Sequence, residues 1–285
     1  MKAAQPVLAL AVIVALTGCF GNPANIRAFA SALQSLTGDA PGFIAADEAS
    51  CEQNAALQDE YKELEDQQLS PPPCKQLAGV LQSILAENKV LKAYADALNN
   101  MAQNQFVATD TDAKAVTGTL ESVGVVSAPV VAAVGSVFSL IETAALNGYR
   151  QNELSKAMTG GPATAFKTIM VSYTQLADQY SGALDRQLSN IELTRNAIKH
   201  DYQKKEPVAI AEMSVRFDAL RDDVAAKAAA VKDFTAALAK VNPAFDAAVQ
   251  DLSNPNAKEI YESVKAFATQ AKDAHDKLKK AFGEP

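Results

Sequence analysis

The chain reads as an all-α protein: an elongated antiparallel bundle of four or five long helices with shorter N-terminal helices alongside. Apolar residues recur at three- and four-residue intervals almost throughout, and no stretch sustains the alternation of a half-buried strand. The candidate helices are separated by short turns rich in Pro, Gly and Asn, so each must fold back on its neighbour to bury its stripe. Alanine is abundant on and beside these stripes, which lets helix backbones approach closely.

Taken in order, Ile26, Phe29, Ala30, Leu33 and Leu36 mark a first amphipathic helix that Thr37-Gly38 can end. A loop with Pro41 and Gly42 follows. Asp47 to about Gln67 is rich in Glu, Asp and Gln and has only a narrow apolar stripe of Leu57, Tyr61 and Leu64, which predicts an outer helix. Pro71-Pro72-Pro73 stops it, because proline removes backbone donors and favours an extended path. From Cys74, the positions Leu77, Leu81, Ile84, Leu91, Tyr94, Leu98 and Met101 predict a core-facing helix, with Asn88 filling the gap in the stripe. Thr109-Asp110-Thr111-Asp112 offers N-cap oxygens for the next helix. That helix is expected to run towards Thr159, interrupted at Pro129 and ended by Gly160-Gly161-Pro162.

The two longest patterns come next. Phe166 to Tyr202 keeps helical spacing as far as Glu206-Pro207, and Ile210 to Val241 continues it, with Ala228 taking one stripe position. Heptads held over so many turns favour near-antiparallel packing at crossing angles near 20°, and hence a rod. Asn242-Pro243 and Asn254-Pro255 bracket a short connecting helix, and Ile260, Val264, Phe267, Ala271, Ala274, Leu278 and Phe282 line a last one. Two separate bundles divided near Gly160-Gly161-Pro162 are the competing architecture.

The N-terminus carries a different signal. Lys2 is followed by the apolar run from Val7 to Leu16 and then Leu16-Thr17-Gly18-Cys19. A charged start, a short apolar stretch and small residues before a cut mark an export signal, the run being too short to span a bilayer. The four-residue ending resembles the lipobox of bacterial lipoproteins. The resemblance covers only Met1 to Cys19, and it implies that residues 1–18 are removed and that Cys19 is acylated. Residues 19–46 are then a lipidated tether with a short helix, and 47–285 form the bundle. Two or three acyl chains anchor a protein stably without a spanning helix. In Gram-negative lipoproteins an Asp after the lipidated cysteine commonly retains the protein in the inner membrane; here that position is Phe20, so the resemblance implies the outer membrane, facing the periplasm.

Composition narrows the partners. The net charge is -7, and loss of Lys2, the only charge in the signal, makes it more negative still. An acidic surface without a basic run argues against nucleic acid and against electrostatic docking on anionic headgroups. Cys51 and Cys74 are the two cysteines left after lipidation. An even number of thiols in an exported chain predicts one disulfide. Closing it limits a helix from Cys51 to about Gln68 if Leu69 to Pro73 is to return nearly extended and bring the Cα atoms within about 7 Å.

From Ser122 to Ile141 there is no charged residue, and Glu121 and Glu142 close the stretch. Val123, Val126, Val130, Val134, Phe138 and Ile141 are the apolar anchors of a segment long enough to cross a bilayer, with Pro129 among them. Ala128, Ala132 and Ser136 recur every four residues, a spacing that permits tight helix contact. One reading is a central helix covered on all sides; the other is a concealed inserting element, as in the long bundles of helical pore-forming toxins, an analogy of architecture alone.

No catalytic constellation emerges. His200 and His275 sit among charges, and neither belongs to a Glu-x-x-His or His-Glu-x-x-His pattern. The carboxylate groups Glu60, Glu63, Glu65, Asp66 and Asp218, Asp222, Asp223 lack the carbonyl-rich loop of calcium sites and read as solvated faces. The sequence therefore predicts no enzyme, no cofactor and no metal. It predicts an anchored protein whose rod serves as a binding, adaptor or structural element with another envelope protein as partner.

Overall fold

The computed structural model describes residues 23–38, 51–56, 59, 74–103, 105, 113–147, 150–202, 207–253 and 258–283. The described chain is helical: α1 (Pro23–Thr37), α2 (Cys74–Ala102), α3 (Ala113–Val123), α4 (Ala128–Asn147), α5 (Arg150–Met158), α6 (Gly160–Tyr202), α7 (Pro207–Leu238), α8 (Val241–Ser253) and α9 (Lys258–Phe282). No strand occurs among the described residues. The acidic helix expected from Asp47 to Gln67, with its stripe of Leu57, Tyr61 and Leu64, lies largely outside them, as do Cys19 and the signal.

Cross-helix pairs fix the directions. Asp185 with Lys232 at 3.1 Å and Arg195 with Asp218 at 2.6 Å set α7 antiparallel to α6. Ser172 bonding Glu87 and Phe166 stacked on Tyr94 set α2 antiparallel to α6. Asn88 donates to the Thr37 carbonyl and Gln34 donates to Asp96, each at 2.6 Å, so α1 runs against α2. Lys277 pairs with Asp233, and Lys227 lies over the Phe282 ring, which sets α9 against α7. One end of the bundle, its base, therefore gathers the starts of α1, α6 and α9 with the ends of α2 and α8. The far end gathers the end of α6 and the start of α7. Helix α6 alone has 43 residues, and at 1.5 Å per residue it spans about 64 Å.

Helix α1 does more than lie alongside. Eight of its fifteen residues are buried, and it packs on α2, α8 and α9. The Phe29 ring centroid lies 6.2 Å from Phe166, 5.7 Å from Phe245 and 5.6 Å from Phe267, so one residue of α1 joins three other helices. Asn25 donates to the buried Asp251 of α8 at 3.0 Å. One continuous core runs through all nine elements named above, which removes the division into two bundles near Gly160.

Glycine and proline act there as starts as well as stops. Gly160 has φ +60°, a conformation that costs glycine little, and it turns the chain directly from α5 into α6. Pro162 then sits in the first turn of α6, where its missing N–H breaks no helical bond. Cys51 and Cys74 form a disulfide with their Cα atoms 5.9 Å apart, as the sequence predicts.

Candidate functional site

The apolar segment 122–141 forms two helices, not one. Ser122 and Val123 end α3; Gly124, at φ +66°, turns the chain, and α4 begins at Ala128. The Ser127 carbonyl accepts from the Val130 and Val131 amides at 2.9 and 3.3 Å, so the helix starts around Pro129. Pro129 therefore does not interrupt a helix; it occupies a first turn, where proline is favoured. The result is a hairpin, α3 running out and α4 returning, whose turn rests on α2: a Cβ at Gly79 would lie 3.7 Å from both Val123 and Val125.

The anchors expected from sequence separate by face. Val130, Val134, Phe138 and Ile141 are buried, Val123 and Val126 half-buried, and Pro129 exposed. With Ala133, Val137, Leu140 and Ala144 the buried four form the face of α4 that packs on α2 and α6. The opposite face, Ala132, Gly135, Ser136, Ser139 and Thr143, is open. Only 44% of the 18-residue window Ala128–Ala145 is buried, so the expectation of a central helix covered on all sides is corrected. That face needs no cover because it is small, and because its hydroxyls bond within the helix: Ser136 donates to the Ala132 carbonyl at 3.0 Å and Thr143 to the Ser139 carbonyl at 2.7 Å. Between it and α5 and the start of α6 lies a shallow groove of about 870 Å³, with Glu153 and Lys156 on its far side.

A second feature went unread in the sequence. Glu87 is fully buried on α2, its Oε1 accepting from the Ser172 hydroxyl at 2.6 Å, while Oε2 has no hydrogen-bond partner. Burial disfavours the charged form and pushes this carboxyl up to about 8, with the Ser172 bond pulling the other way. Beside it Asn88 accepts from the Tyr173 hydroxyl at 2.8 Å and donates to Thr37 of α1. Burial raises the Tyr173 and Tyr94 phenols too, and Tyr94 donates to the Ala157 carbonyl of α5 at 2.8 Å. The tier ties α1, α2, α5 and α6 together with directional bonds. Asn88 standing in an apolar stripe, with Glu87 at its edge, was the available signal.

Carboxylates of α7 pair with basic side chains. Asp218 meets Arg195 and Arg221, Asp222 meets Arg221, and Asp223 meets Lys227. His200 is exposed and His275 half-buried. Among the described residues no three His, Cys, Asp or Glu side chains gather in a metal-binding group; Glu60, Glu63, Glu65 and Asp66 lie outside them. A cleft of about 380 Å³ beside the disulfide is lined by Cys51, Leu77 and Val80 on one side and Gly182, Arg186 and Asn190 on the other. No known protein family, curated protein or solved structure matches the chain.

Proposed function

We propose that this protein is a lipid-anchored envelope protein that acts without catalysis, as an adaptor, spacer or assembly subunit, held by Cys19 in the outer membrane and facing the periplasm. The observation that carries this reading is the ending Leu16-Thr17-Gly18-Cys19, four residues ahead of a helix that is integral to the core. An anchor joined so closely to a folded body suits a protein whose position matters. A binding role is favoured over chemistry by Glu87: the strongly shifted carboxyl is sealed inside the bundle against Ser172, where no substrate reaches it. Its partner is another envelope protein, recognised by a face of the rod.

The test is mass spectrometry of the mature N-terminus together with fractionation of Cys19→Ser. Wild-type protein should begin at an acylated Cys19 and sediment with membranes, and the variant should not. A mature chain beginning elsewhere removes the assignment.

A second reading has one specific observation in its favour. The outer face of α4 from Ala128 to Ser139 is uncharged, and the hydroxyls of Ser136 and Thr143 are satisfied within the helix, a property that lowers the cost of entering lipid. Insertion of this hairpin would make the protein membrane-active. Leakage of an entrapped dye from vesicles on addition of the protein supports it; intact vesicles count against it.

A further inference from the structure

The base of the bundle presents one feature that the fold does not explain. Tyr261, in the first turn of α9, is 51% exposed although the stripe of that helix, Ile260, Val264 and Phe267, is buried. The Lys265 ammonium lies over its ring, 5.7 Å from the centroid. Tyr261 is the large aromatic side chain left exposed among the described residues; the other large exposed hydrophobics are aliphatic.

Its level along the bundle can be worked out. Phe29 of α1 and Phe267 of α9 face each other at 5.6 Å. Helix α9 opposes α7, which opposes α6; α1 opposes α2, which also opposes α6. Helices α1 and α9 are therefore parallel. Pro23 and Tyr261 each precede the paired phenylalanines by the same number of residues, so both lie about 9 Å towards the base. Tyr261 stands level with the first residue of α1.

Covalent geometry then limits the distance to the anchor. Cys19 precedes Pro23 by four residues, a reach of at most about 14 Å even fully extended. Ile26 and Phe29 are fully buried, so α1 cannot unwind to lengthen that link without emptying the aromatic core. An acylated Cys19 therefore holds the level of Tyr261 against the headgroup layer.

We infer that the base of the bundle is a lipid-contacting surface, with Tyr261 seated among phospholipid headgroups and α6 and α7 projecting away from the membrane. The occupant is the phospholipid surface itself. Tyrosine favours that layer because its ring is apolar and its hydroxyl wet, and lysine carries its charge outward on an apolar stem. Among the residues whose exposure is described, the charges beside Tyr261 on α9 and on the first turns of α1 are Arg27 and Lys265 against Glu259 and Glu262. Contact therefore arises from the acyl chains and the aromatic ring, not from net charge. This inference rests on the lipid-anchored reading.

The chain contains no Trp, so a single introduced tryptophan reports alone. Full-length acylated protein carrying Tyr261→Trp, or Val208→Trp in the first turn of α7 at the far end, is reconstituted in phosphatidylethanolamine–phosphatidylglycerol vesicles, with and without lipids brominated near the headgroup. Both positions are exposed, so folding is unaffected. The Tyr261→Trp protein should lose most of its emission to bromine and shift to shorter wavelength, and the Val208→Trp protein should not change. Protein that floats with vesicles but shows no quenching at 261, or equal quenching at both positions, overturns the inference. Protein that fails to float, like its Cys19→Ser form, refutes the anchor reading on which the inference rests.

Discussion

Helix α1 has fifteen residues, carries Arg27, and buries eight of its side chains. Helix α4 is longer, has no charge before Glu142, and buries less than half of its apolar window. The difference is one of side-chain volume and neighbours, not polarity. The stripe of α1 is Ile26, Phe29, Leu33 and Leu36, large groups that fill the space between α2, α8 and α9. The outer face of α4 is Ala132, Gly135, Ser136 and Ser139, which have little area to remove from water. Burial stabilises by roughly 25 cal/mol per Å², so a face of small residues gains little from cover, however uncharged it is.

The comparison breaks first at the two fully buried positions. Phe29→Ala should cost about 3–5 kcal/mol, because the cavity opens among three aromatic rings that cannot collapse onto one another. Val134→Asp should cost at least as much, leaving an unpaired charge on the inner face of α4. Thermal or urea unfolding measures both. Val131, on the same helix, is half-buried, so Val131→Asp should be milder than Val134→Asp.

Acidity sharpens the contrast on the α1 side. The folded protein holds Glu87 neutral up to about pH 8, whereas the unfolded chain ionises it near the ordinary value of 4.5. Between those limits the folded state binds the extra proton, so stability should fall as pH rises, by up to about 1.4 kcal/mol per unit, and level off above pH 8. Glu87→Gln should remove that slope. Unfolding midpoints measured from pH 4 to 9 test this, and parallel curves for the two proteins would contradict it.

Reducing the Cys51–Cys74 disulfide should cost about 3 kcal/mol in the chain-entropy account for a loop of this size. Denaturant midpoints with and without reductant measure it. The smallest effect should come from the outer face of α4: Ser136→Asp is expected to stay within about 0.5 kcal/mol of the parent, as exposed substitutions do. A large loss there would mean that this face is covered.

Much of the architecture was legible because helical periodicity is local. The stripes of α2, α6, α7 and α9 follow from spacing, and the pairing of Cys51 with Cys74 from the even number of thiols left once Cys19 is set aside. What depends on tertiary placement was not. A break at Gly124 and a start at Pro129 look alike in sequence, and only the packing of Val123 and Val125 against Gly79 selects the turn. Glu87 reads as a solvated charge until Ser172, distant in sequence, is brought against it. Tyr261, off the stripe of its helix, reads in sequence as an ordinary exposed residue, and only its level with Pro23 gives it a meaning.

The hydrogen bond from Asn25 to Asp251 joins residues 226 positions apart, and Phe29 rests on Phe245 and Phe267. Helix α1 is thus completed by helices made more than 200 residues later. Contacts of such sequence separation form late, since the intervening chain must be ordered before they can close. During synthesis Ile26, Phe29 and Leu33 can dock on α2 alone, and the part of their surface that α8 and α9 cover stays wet until those helices arrive. The interval is an opportunity for self-association or for capture by a holding chaperone, and its length is set by how fast the C-terminal helices follow.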